Sequence, residues 1–273
     1  MSFYTRDELA PTVVLLCQAV SPGGQEVGTG NLITNGSRLF LVTAEHVAKK
    51  MKSSGGFIMS GLNDQPVSIR WSQVTKFHGD SIPWVFHEEA DLAVLLMNPS
   101  QDLFEQHFQK RFVPLETYHA ENSPPSRDTV LTSVGFPLGL GIGELISPLT
   151  FQSRASSGFL TLRRADNDQT STFFVLENPS IGGYSGCAIY DLSVHKLGAV
   201  TTTGDGTMGY GFMHGTVSDD TGGKLALVTP SHYLHQLIDL CLAREETLLT
   251  PPNRNADCYC GSGEKFKNCH GKV

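Results

Sequence analysis

Short apolar runs of strand length recur along the whole chain and are separated by turn signals. The runs are rich in β-branched and aromatic residues, which favour strands; they include TVVLLCQAV, RLFLVTA, DLAVLLM and STFFVLE. The segments between them are rich in glycine, proline and asparagine, which favour turns; examples are SPGGQ, TNGS, NSPPS and TGDGTMG. This pattern predicts an all-β chain, built as a sandwich or as barrels.

Helical periodicity is rare. EHVAKKM predicts a short helix directly after the strand RLFLVTA. PSHYLHQLIDLCLAREE predicts an amphipathic helix, because one face of it gathers Leu234, Leu237, Ile238, Cys241 and Leu242. The polar segment YHAENSPPS predicts a connector between two halves of the β region, and TLLTPPNRN predicts a break after the second helix.

Composition and charge narrow the class of protein. The chain has 273 residues, 40% of them hydrophobic, which is enough for a sizeable core. Its formal net charge of −7 argues against a general nucleic-acid binder. The apolar run VVLLC follows the mixed charges of RDE rather than a basic region, and no run approaches the about 18 apolar residues of a membrane span. We therefore expect a soluble cytoplasmic protein with no membrane contact, whose Cys17, Cys187 and Cys241 are reduced core residues.

Three polar residues stand at places where a side chain could face a cleft. His46 follows a strand, Asp91 begins the strand DLAVLLM, and Ser185 lies in the glycine-rich segment GGYSGCAIYD. Each has an ordinary structural explanation, as a packed histidine, a strand cap or a turn residue. The three together, in the order His, Asp, Ser, indicate nucleophilic catalysis.

These segments resemble the trypsin-like, chymotrypsin-clan serine peptidases, particularly their bacterial branch. GTGNLIT and LFLVTAEHV resemble the glycine-led strand and the T-A-x-H segment of that family, DLAVLL resembles its aspartate strand, and GGYSGCAIYD stands at its G-x-S-G position. The resemblance covers roughly residues 10–245. It implies two six-stranded antiparallel β-barrels and a C-terminal α-helix. We expect a peptidase domain at 1–246, with barrels at about 1–118 and 127–230 and the helix at 231–246.

The resemblance also implies a chemistry. Ser185 would be the nucleophile, His46 the general base and Asp91 the residue that orients His46. The N–H groups of Gly183 and Ser185 would form the oxyanion hole. The expected function is a serine endopeptidase that cleaves protein substrates; the alternative is a trypsin-like binding module that has lost catalysis. Secreted relatives carry an aspartate directly before the nucleophile for zymogen activation, and Tyr184 in that place argues against this route.

Two rival nucleophile assignments fit less well. Cys187 would be the nucleophile in a viral G-x-C-G pattern, but it lies two residues late and is followed by alanine, so we interpret it as a core residue. An α/β-hydrolase would need G-x-S-x-G, and Cys187 replaces the second glycine of that motif. The alternation of strands and helices that such a fold requires is also absent from the pattern.

The C-terminus carries a second candidate site with the spacing C-x-C-x8-C-H. Its residues are Cys258, Cys260, Cys269 and His270, which supply the three thiolates and one imidazole of a closed tetrahedral zinc site. In so short a segment the metal must supply most of the folding energy. The alternative, a disulfide with a stray thiol, fits a cytoplasmic chain poorly and leaves His270 unexplained.

This segment closely resembles the SEC-C motif, known from the tail of the SecA translocase and from many bacterial proteins. We expect it at 257–273, joined by a linker at 247–256. The resemblance implies one structural Zn²⁺ per chain and a docking role toward a protein partner or the ribosome. Basic residues outnumber acidic ones in the tail, as docking would favour; the basic residues are Arg254, Lys265, Lys267 and Lys272. The alternative is a solvated tail that only caps the domain.

Overall fold

Two antiparallel sheets dominate the computed structural model, which describes residues 2–21, 24–76, 81–164, 166–197, 200–218, 224–250, 252–259 and 262–271. The strands of the first sheet are β1 Val13–Ser21, β2 Gly24–Thr34, β3 Leu39–Thr43, β4 Gly56–Ser60, β5 Pro66–Arg70, β6 Val85–Phe86, β7 Ala93–Met97 and β8 Val113–Pro114. They lie in the order β5-β4-β1-β2-β3-β7-β6, and β8 adds to β2 in parallel.

The second sheet lies in the order β10-β9-β13-β16-β17-β12-β11, and a separate hairpin joins β14 to β15. The strands from β9 onward are β9 Leu131–Gly135, β10 Leu149–Ser153, β11 Leu160–Arg163, β12 Thr170–Leu176, β13 Ala188–Asp191, β14 Val194–Leu197, β15 Val200–Thr203, β16 Met208–Ser218 and β17 Lys224–Pro230. The helices are α1 Arg6–Leu9, α2 Glu45–Ala48, α3 Trp71–Val74, α4 Gln101–Leu103, α5 His232–Ala243 and α6 Glu245–Leu249.

The all-β prediction with two antiparallel sheets is confirmed, and the strand counts differ from six and six. Within the described ranges the sheets have eight and seven strands, and their end strands do not pair to close a barrel. The first sheet exceeds six because of two short additions, β6 and β8, each of only two residues. The segment 118–126 forms no strand and connects the two sheets.

Strand β7 of the first sheet is apolar at every position because both of its faces are buried. Along β7, Ala93, Leu95 and Met97 enter the core of the first sheet, while Val94 and Leu96 face the core between the two sheets. A strand that is buried on both sides needs apolar residues throughout, which is why DLAVLLM lacks polar alternation. The second sheet has its own core, which includes Cys187 and Met213.

The amphipathic helix packs on the core between the sheets. In α5, Leu234, Leu237, Ile238 and Cys241 are buried there, as the periodicity predicts. Cys187 and Cys241 are completely buried and free, and Cys17 is half-buried and free. None of the helices in the described part of the chain is long and apolar enough to cross a membrane.

Strand register brings the candidate residues to one edge. In the antiparallel pair β3–β7, Thr43 lies opposite Ala93, so the chain leaving β3 toward His46 meets the chain entering β7 from Asp91. In the pair β13–β16, Ala188 lies opposite Phe212, which places the turn before β13 beside the following residues of β16. The edges of the two sheets meet at the site described next.

Candidate active site and metal centre

His46 and Asp91 form a direct hydrogen-bonded pair. The Nδ1 of His46 lies 2.7 Å from Oδ2 of Asp91, and the main-chain N–H of His46 donates to Oδ1 at 3.0 Å. The carboxylate is only 1% exposed and can only accept, so the imidazole carries its proton on Nδ1 and its Nε2 is left as an acceptor. The sequence-predicted base and orienting residue are thus together, in the tautomer that general-base chemistry requires.

Ser185 lies in a tight turn that residues of the first sheet hold in place. Its main-chain carbonyl accepts from the N–H of Thr29 on β2 at 2.9 Å. The next residue, Gly186, has φ +88°, and a Cβ there would lie 2.3 Å from the Thr29 carbonyl oxygen and from the Thr43 hydroxyl. Glycine is therefore required at this position both for its backbone conformation and for its lack of a side chain.

Asn31 on β2 makes a second tie to the same turn. Its Nδ2 donates to the carbonyl of Gly186 at 2.6 Å, and its Oδ1 accepts from the N–H of Ala188 at 3.1 Å. The side chain is 1% exposed, so these bonds replace the water that its amide would otherwise bind. The turn that holds Ser185 precedes a strand of the second sheet, yet its position is set by the first.

Ser185 and His46 face a common cleft of about 470 Å³. The hydroxyl of Ser185 donates to the main-chain carbonyl of His214 on β16, at 3.0 Å. The cleft is mainly apolar around these two residues, and it is lined by Val27, His46, Val47, Lys50, Met51, Leu138, Gly182, Gly183 and Ser185.

The peptide between Gly182 and Gly183 has a fixed orientation. The carbonyl of Gly182 accepts from the N–H of Leu138, and the carbonyl of Gly183 accepts from Oγ1 of Thr29 at 3.1 Å. Because C=O and N–H point to opposite sides of a trans peptide, the N–H of Gly183 points away from Leu138. Gly183 has φ +86°, and a Cβ there would lie 2.7 Å from the Phe136 carbonyl oxygen. Among the described residues, no hydrogen-bond acceptor contacts the N–H of Gly183 or of Ser185.

Tyr184 is an anchor inside the second sheet. The side chain is buried, its hydroxyl donates to the carbonyl of Leu149 at 2.8 Å, and its ring packs edge-on against Phe151. Burial raises the pKa of this phenol well above its ordinary value, so it stays neutral. The position that secreted relatives give to an activating acid is therefore occupied by a neutral, hydrogen-bonded ring.

Two residues that the sequence analysis did not identify contact Asp91. His214 Nδ1 lies 2.5 Å from Oδ2 of Asp91, and Arg164 Nη2 donates to Oδ1 at 2.9 Å. Burial by itself would raise the pKa of Asp91, but the hydrogen bonds that His214 and His46 donate to its carboxylate hold it well below its usual range. The only sequence signal for His214 is a polar residue in an otherwise apolar strand, GFMHGTV; Arg164 gives none, because LRRADNDQT is an ordinary polar hairpin.

The C-terminal cluster brings metal ligands together. The Nδ1 of His270 lies 3.1 Å from Sγ of Cys258 and 3.2 Å from Sγ of Cys269. Ligand atoms of a tetrahedral zinc site lie about 3.5 Å apart, given Zn–S and Zn–N bonds of about 2.3 and 2.0 Å. The donor chemistry and the convergence of these atoms fit zinc. The fourth predicted ligand, Cys260, lies outside the described residues.

The segment around this cluster is docked on the helices that precede it. Arg244 at the end of α5 donates from Nη1 to the carbonyl of Tyr259 at 2.7 Å. Phe266 is completely buried and belongs to the same apolar core as Leu248 of α6. The segment therefore shares a core with the rest of the chain.

Comparison with known sequences identifies the C-terminal segment. The sequence profile of the SEC-C motif matches residues 254–272, which confirms the resemblance to that motif. The chain is also similar to the protein translocase subunit SecA of Acinetobacter baumannii, in strains SDF and AYE, at 40% identity over 55 residues. That match covers 20% of this chain and 6% of SecA.

Comparison with solved structures identifies the fold. The chain is similar to the active form of the Rv3671c protease from M. tuberculosis, with a TM-score of 0.53 and 16% identity over 93% of this chain and 87% of that one. It is also similar to the serine endoprotease from Yersinia pestis, with a TM-score of 0.51 and 16% identity over 89% of this chain and 68% of that one. At this identity the likeness shows the fold, which is the trypsin-like fold of serine proteases.

Proposed function

We propose that the chain is a serine endopeptidase that cleaves protein substrates through an acyl-enzyme. The observation that carries the proposal is the buried Asp91–His46 pair, whose free Nε2 shares one cleft with the hydroxyl of Ser185. The protease-like fold supports it. The fold alone could equally serve binding, so the proposal depends on these three side chains.

The reaction follows from their roles. Oγ of Ser185 attacks the carbonyl carbon of the scissile peptide while its proton passes to Nε2 of His46. The same proton then goes to the leaving amine as the C–N bond breaks, which leaves an ester on Ser185. Water repeats the sequence and releases the carboxylic acid. Throughout, the Asp91 carboxylate holds the Nδ1 proton and stabilises the imidazolium that forms.

The N–H groups of Gly183 and Ser185 are the proposed oxyanion hole. Hydrogen bonds from Leu138 and Thr29 engage the carbonyls of Gly182 and Gly183, which leaves the N–H groups of Gly183 and Ser185 available. Two N–H donors that are fixed before the substrate arrives stabilise the developing oxyanion without reorganisation, each by roughly 3 kcal/mol. The docked ring of Tyr184 between the two donors keeps this orientation at rest.

The Ser185 hydroxyl needs one rotation to enter the reaction. It now donates to the His214 carbonyl, and in the proposed reaction it leaves this bond and turns toward His46 across the shared cleft. Rotation between staggered rotamers costs little, and binding of a substrate carbonyl favours the productive one.

The C-terminal segment is the proposed zinc and docking element. Cys258, Cys260, Cys269 and His270 would hold one structural Zn²⁺ with no open position, and the metal would fix the fold of the segment. Thiolate ligands and free buried cysteines suit a reducing compartment such as the cytoplasm. By its likeness to the SecA tail, we propose that the segment binds a protein partner or the ribosome.

A fluorophosphonate probe tests the activity, because it reacts only with an activated serine. We expect the wild-type chain to be labelled and Ser185→Ala to lose the label completely, since Oγ of Ser185 is the attacking atom. The matched control is Ser180→Ala, which removes a hydroxyl from the same segment but outside the cleft and should retain labelling.

The other outcomes are equally clear. Label that persists in Ser185→Ala would place the nucleophile elsewhere. A folded wild-type chain that resists the probe would identify a trypsin-like binding module instead of an enzyme.

A further inference from the structure

We propose that Arg164 and His214 are positioning residues of the active site, which hold the Asp91 carboxylate in the orientation that His46 requires. This inference rests on the proposed peptidase function and extends it beyond the three residues that the sequence identifies. Neither residue lines the cleft. Both act through Asp91.

Four donors fix the two oxygens of Asp91. Oδ1 accepts from the main-chain N–H of His46 and from Nη2 of Arg164, at 3.0 and 2.9 Å. Oδ2 accepts from Nδ1 of His46 and from Nδ1 of His214. A carboxylate with both oxygens engaged in this way cannot rotate without breaking several bonds, so the direction of Oδ2 toward His46 is determined by its other partners.

Arg164 also reaches the residue that precedes the catalytic histidine. Its Nη1 donates to Oε2 of Glu45 at 2.6 Å, and Glu45 begins the helix α2 that carries His46. One guanidinium therefore contacts the orienting carboxylate and the helix of the base at the same time. The planar fork of arginine allows this, whereas a lysine ammonium would offer one point of contact.

Burial of the Arg164 guanidinium among three carboxylates costs desolvation free energy, which a positioning role would explain. The Arg164 side chain is 1% exposed and is shared among Asp91, Glu45 and Asp166, which binds it through Nε and Nη2 at 2.9 and 2.6 Å. A buried ionic cluster usually stabilises a fold less than apolar residues of the same volume would. Here two of the three carboxylates belong to the active site or adjoin it, which favours a positioning role over a structural one.

His214 completes the arrangement from the second sheet. Its ring packs at a tilt against Phe173, with centroids 4.9 Å apart, and lies edge-on to the ring of His46 at 5.4 Å. Packing fixes the ring, so its Nδ1–H has a single direction, toward Asp91. Its main-chain carbonyl holds the resting Ser185 hydroxyl, and the residue thus contacts both the orienting residue and the nucleophile.

The first experiment compares labelling rates. Arg164→Met should lower the second-order rate of fluorophosphonate labelling about 100-fold, the loss expected when a reacting group is misplaced by about 1 Å. Arg164→Lys should recover part of that loss because it keeps the charge. The matched control is Arg163→Met: Arg163 is 68% exposed, its only ion pair among the described residues is with the exposed Asp168, and its loss should leave the rate within twofold of wild type.

The second experiment does not depend on activity. Two imidazole N–H protons that donate to one buried carboxylate should give two proton NMR signals downfield of the amide region. His46→Gln and His214→Gln assign them, each by the loss of one signal. In Arg164→Met the His46 signal should shift or broaden, and in Arg163→Met both should stay in place.

If Arg164→Met does not fold, Asp166→Asn tests the positioning role of Arg164 instead. It removes the negative charge and one of the two oxygens that accept from the guanidinium but leaves Asp91 fully bonded, and Asp166 is partly exposed. We expect a labelling rate about tenfold lower and a displaced His46 signal. Folded variants with wild-type signals and control-like labelling rates would overturn the proposal. If the wild type is not labelled at all, the peptidase function fails, and the NMR signals still decide whether Arg164 positions the pair.

Discussion

At the scale of the residue, the site depends on how one carboxylate is surrounded. Asp91 is buried and would be neutral in an apolar setting, yet two imidazoles and a guanidinium keep it ionised. Its charge is what holds His46 in the Nδ1–H tautomer. The same donors that orient the His46–Asp91 pair therefore also stabilise the folded chain.

Ionised Asp91 should make stability pH-dependent. Its pKa in the folded chain lies below the unfolded value of about 4, so its contribution is present above that value and is lost as the pH falls through the folded pKa. Asp91→Asn should destabilise the chain by about 3 kcal/mol at pH 7, and by less at pH 3. Urea unfolding at the two pH values measures this difference.

The control for this measurement is Asp168→Asn, because Asp168 is 81% exposed and, within the part of the chain that the structure describes, forms an ion pair only with Arg163. It should change stability little at either pH. A difference between wild type and Asp91→Asn that is the same at both pH values would contradict the prediction.

At the scale of the element, a turn of the second sheet is shaped by a strand of the first. Thr29 and Asn31 both lie on β2 and together bond the main chain of the turn that runs from Gly183 to Ala188. Because neighbouring positions of the turn are fixed in this way, there is no room for a side chain at the position that follows Ser185. The close contact is visible at Gly186.

Two glycines with the same backbone conformation allow the cost of backbone strain to be measured apart from the cost of a steric clash. Gly36→Ala should cost about 1–2 kcal/mol, because φ is +87° but a Cβ there meets no atom within 4 Å. Gly186 has φ +88°, and a Cβ there would also lie 2.3 Å from the Thr29 carbonyl oxygen. Gly186→Ala should therefore lower the free energy of unfolding by more than about 3 kcal/mol. Unfolding free energies and fluorophosphonate labelling measure both effects.

Gly36→Ala should be labelled at the wild-type rate, whereas Gly186→Ala should lose most of its labelling because the turn is displaced. Equal losses in the two variants would mean that the turn relaxes around a methyl group.

At the scale of the whole molecule, the C-terminal segment is held to the preceding helices by packing and a hydrogen bond as well as by its covalent linker. Arg244 binds the carbonyl of Tyr259, and Phe266 lies in a core that includes residues of α5 and α6. The ligand cluster is close to that core and separate from the residues that line the catalytic cleft. Loss of the proposed metal should therefore lower the stability of the chain while Ser185 of the folded protein still reacts.

Replacing two ligands tests this. Cys258→Ser with Cys260→Ser should lower the zinc content from about one per chain toward zero, because thiolates hold the metal. The melting temperature should fall while fluorophosphonate labelling of the folded protein persists. Metal analysis and calorimetry measure these outcomes. Cys241→Ser is the control, since it removes a buried thiol outside the cluster and should keep its zinc; zinc that stays in the double variant would show that the ligands are others.

Much of the fold and part of the site could be predicted from the sequence. Strand-length apolar runs, the face of α5 and the segments around His46, Asp91 and Ser185 are local patterns, and the structure brings these residues to one edge. Arg164 could not be predicted in this way. It lies 119 residues from Glu45 and 73 from Asp91, and only the docking of its hairpin on the first sheet buries it.

The hydrogen bond of Tyr184 could not be predicted from the sequence either. The sequence indicates that an activating acid is missing, but the replacement contact depends on Leu149, which reaches the ring only because β10 pairs with β9. Which hydrogen bond a side chain makes across two strands is decided by register, and register is a property of the whole sheet.

The bonds of Asn31 have a consequence for the order of folding. They span 155 and 157 residues, so the turn around Ser185 has these bonds only when both sheets are in place. Both tryptophans of the chain, Trp71 and Trp84, lie in the core of the first sheet. An intermediate in which that half alone is native would thus show native tryptophan fluorescence without the proposed active site, and the proposed activity would return only after the second half has docked.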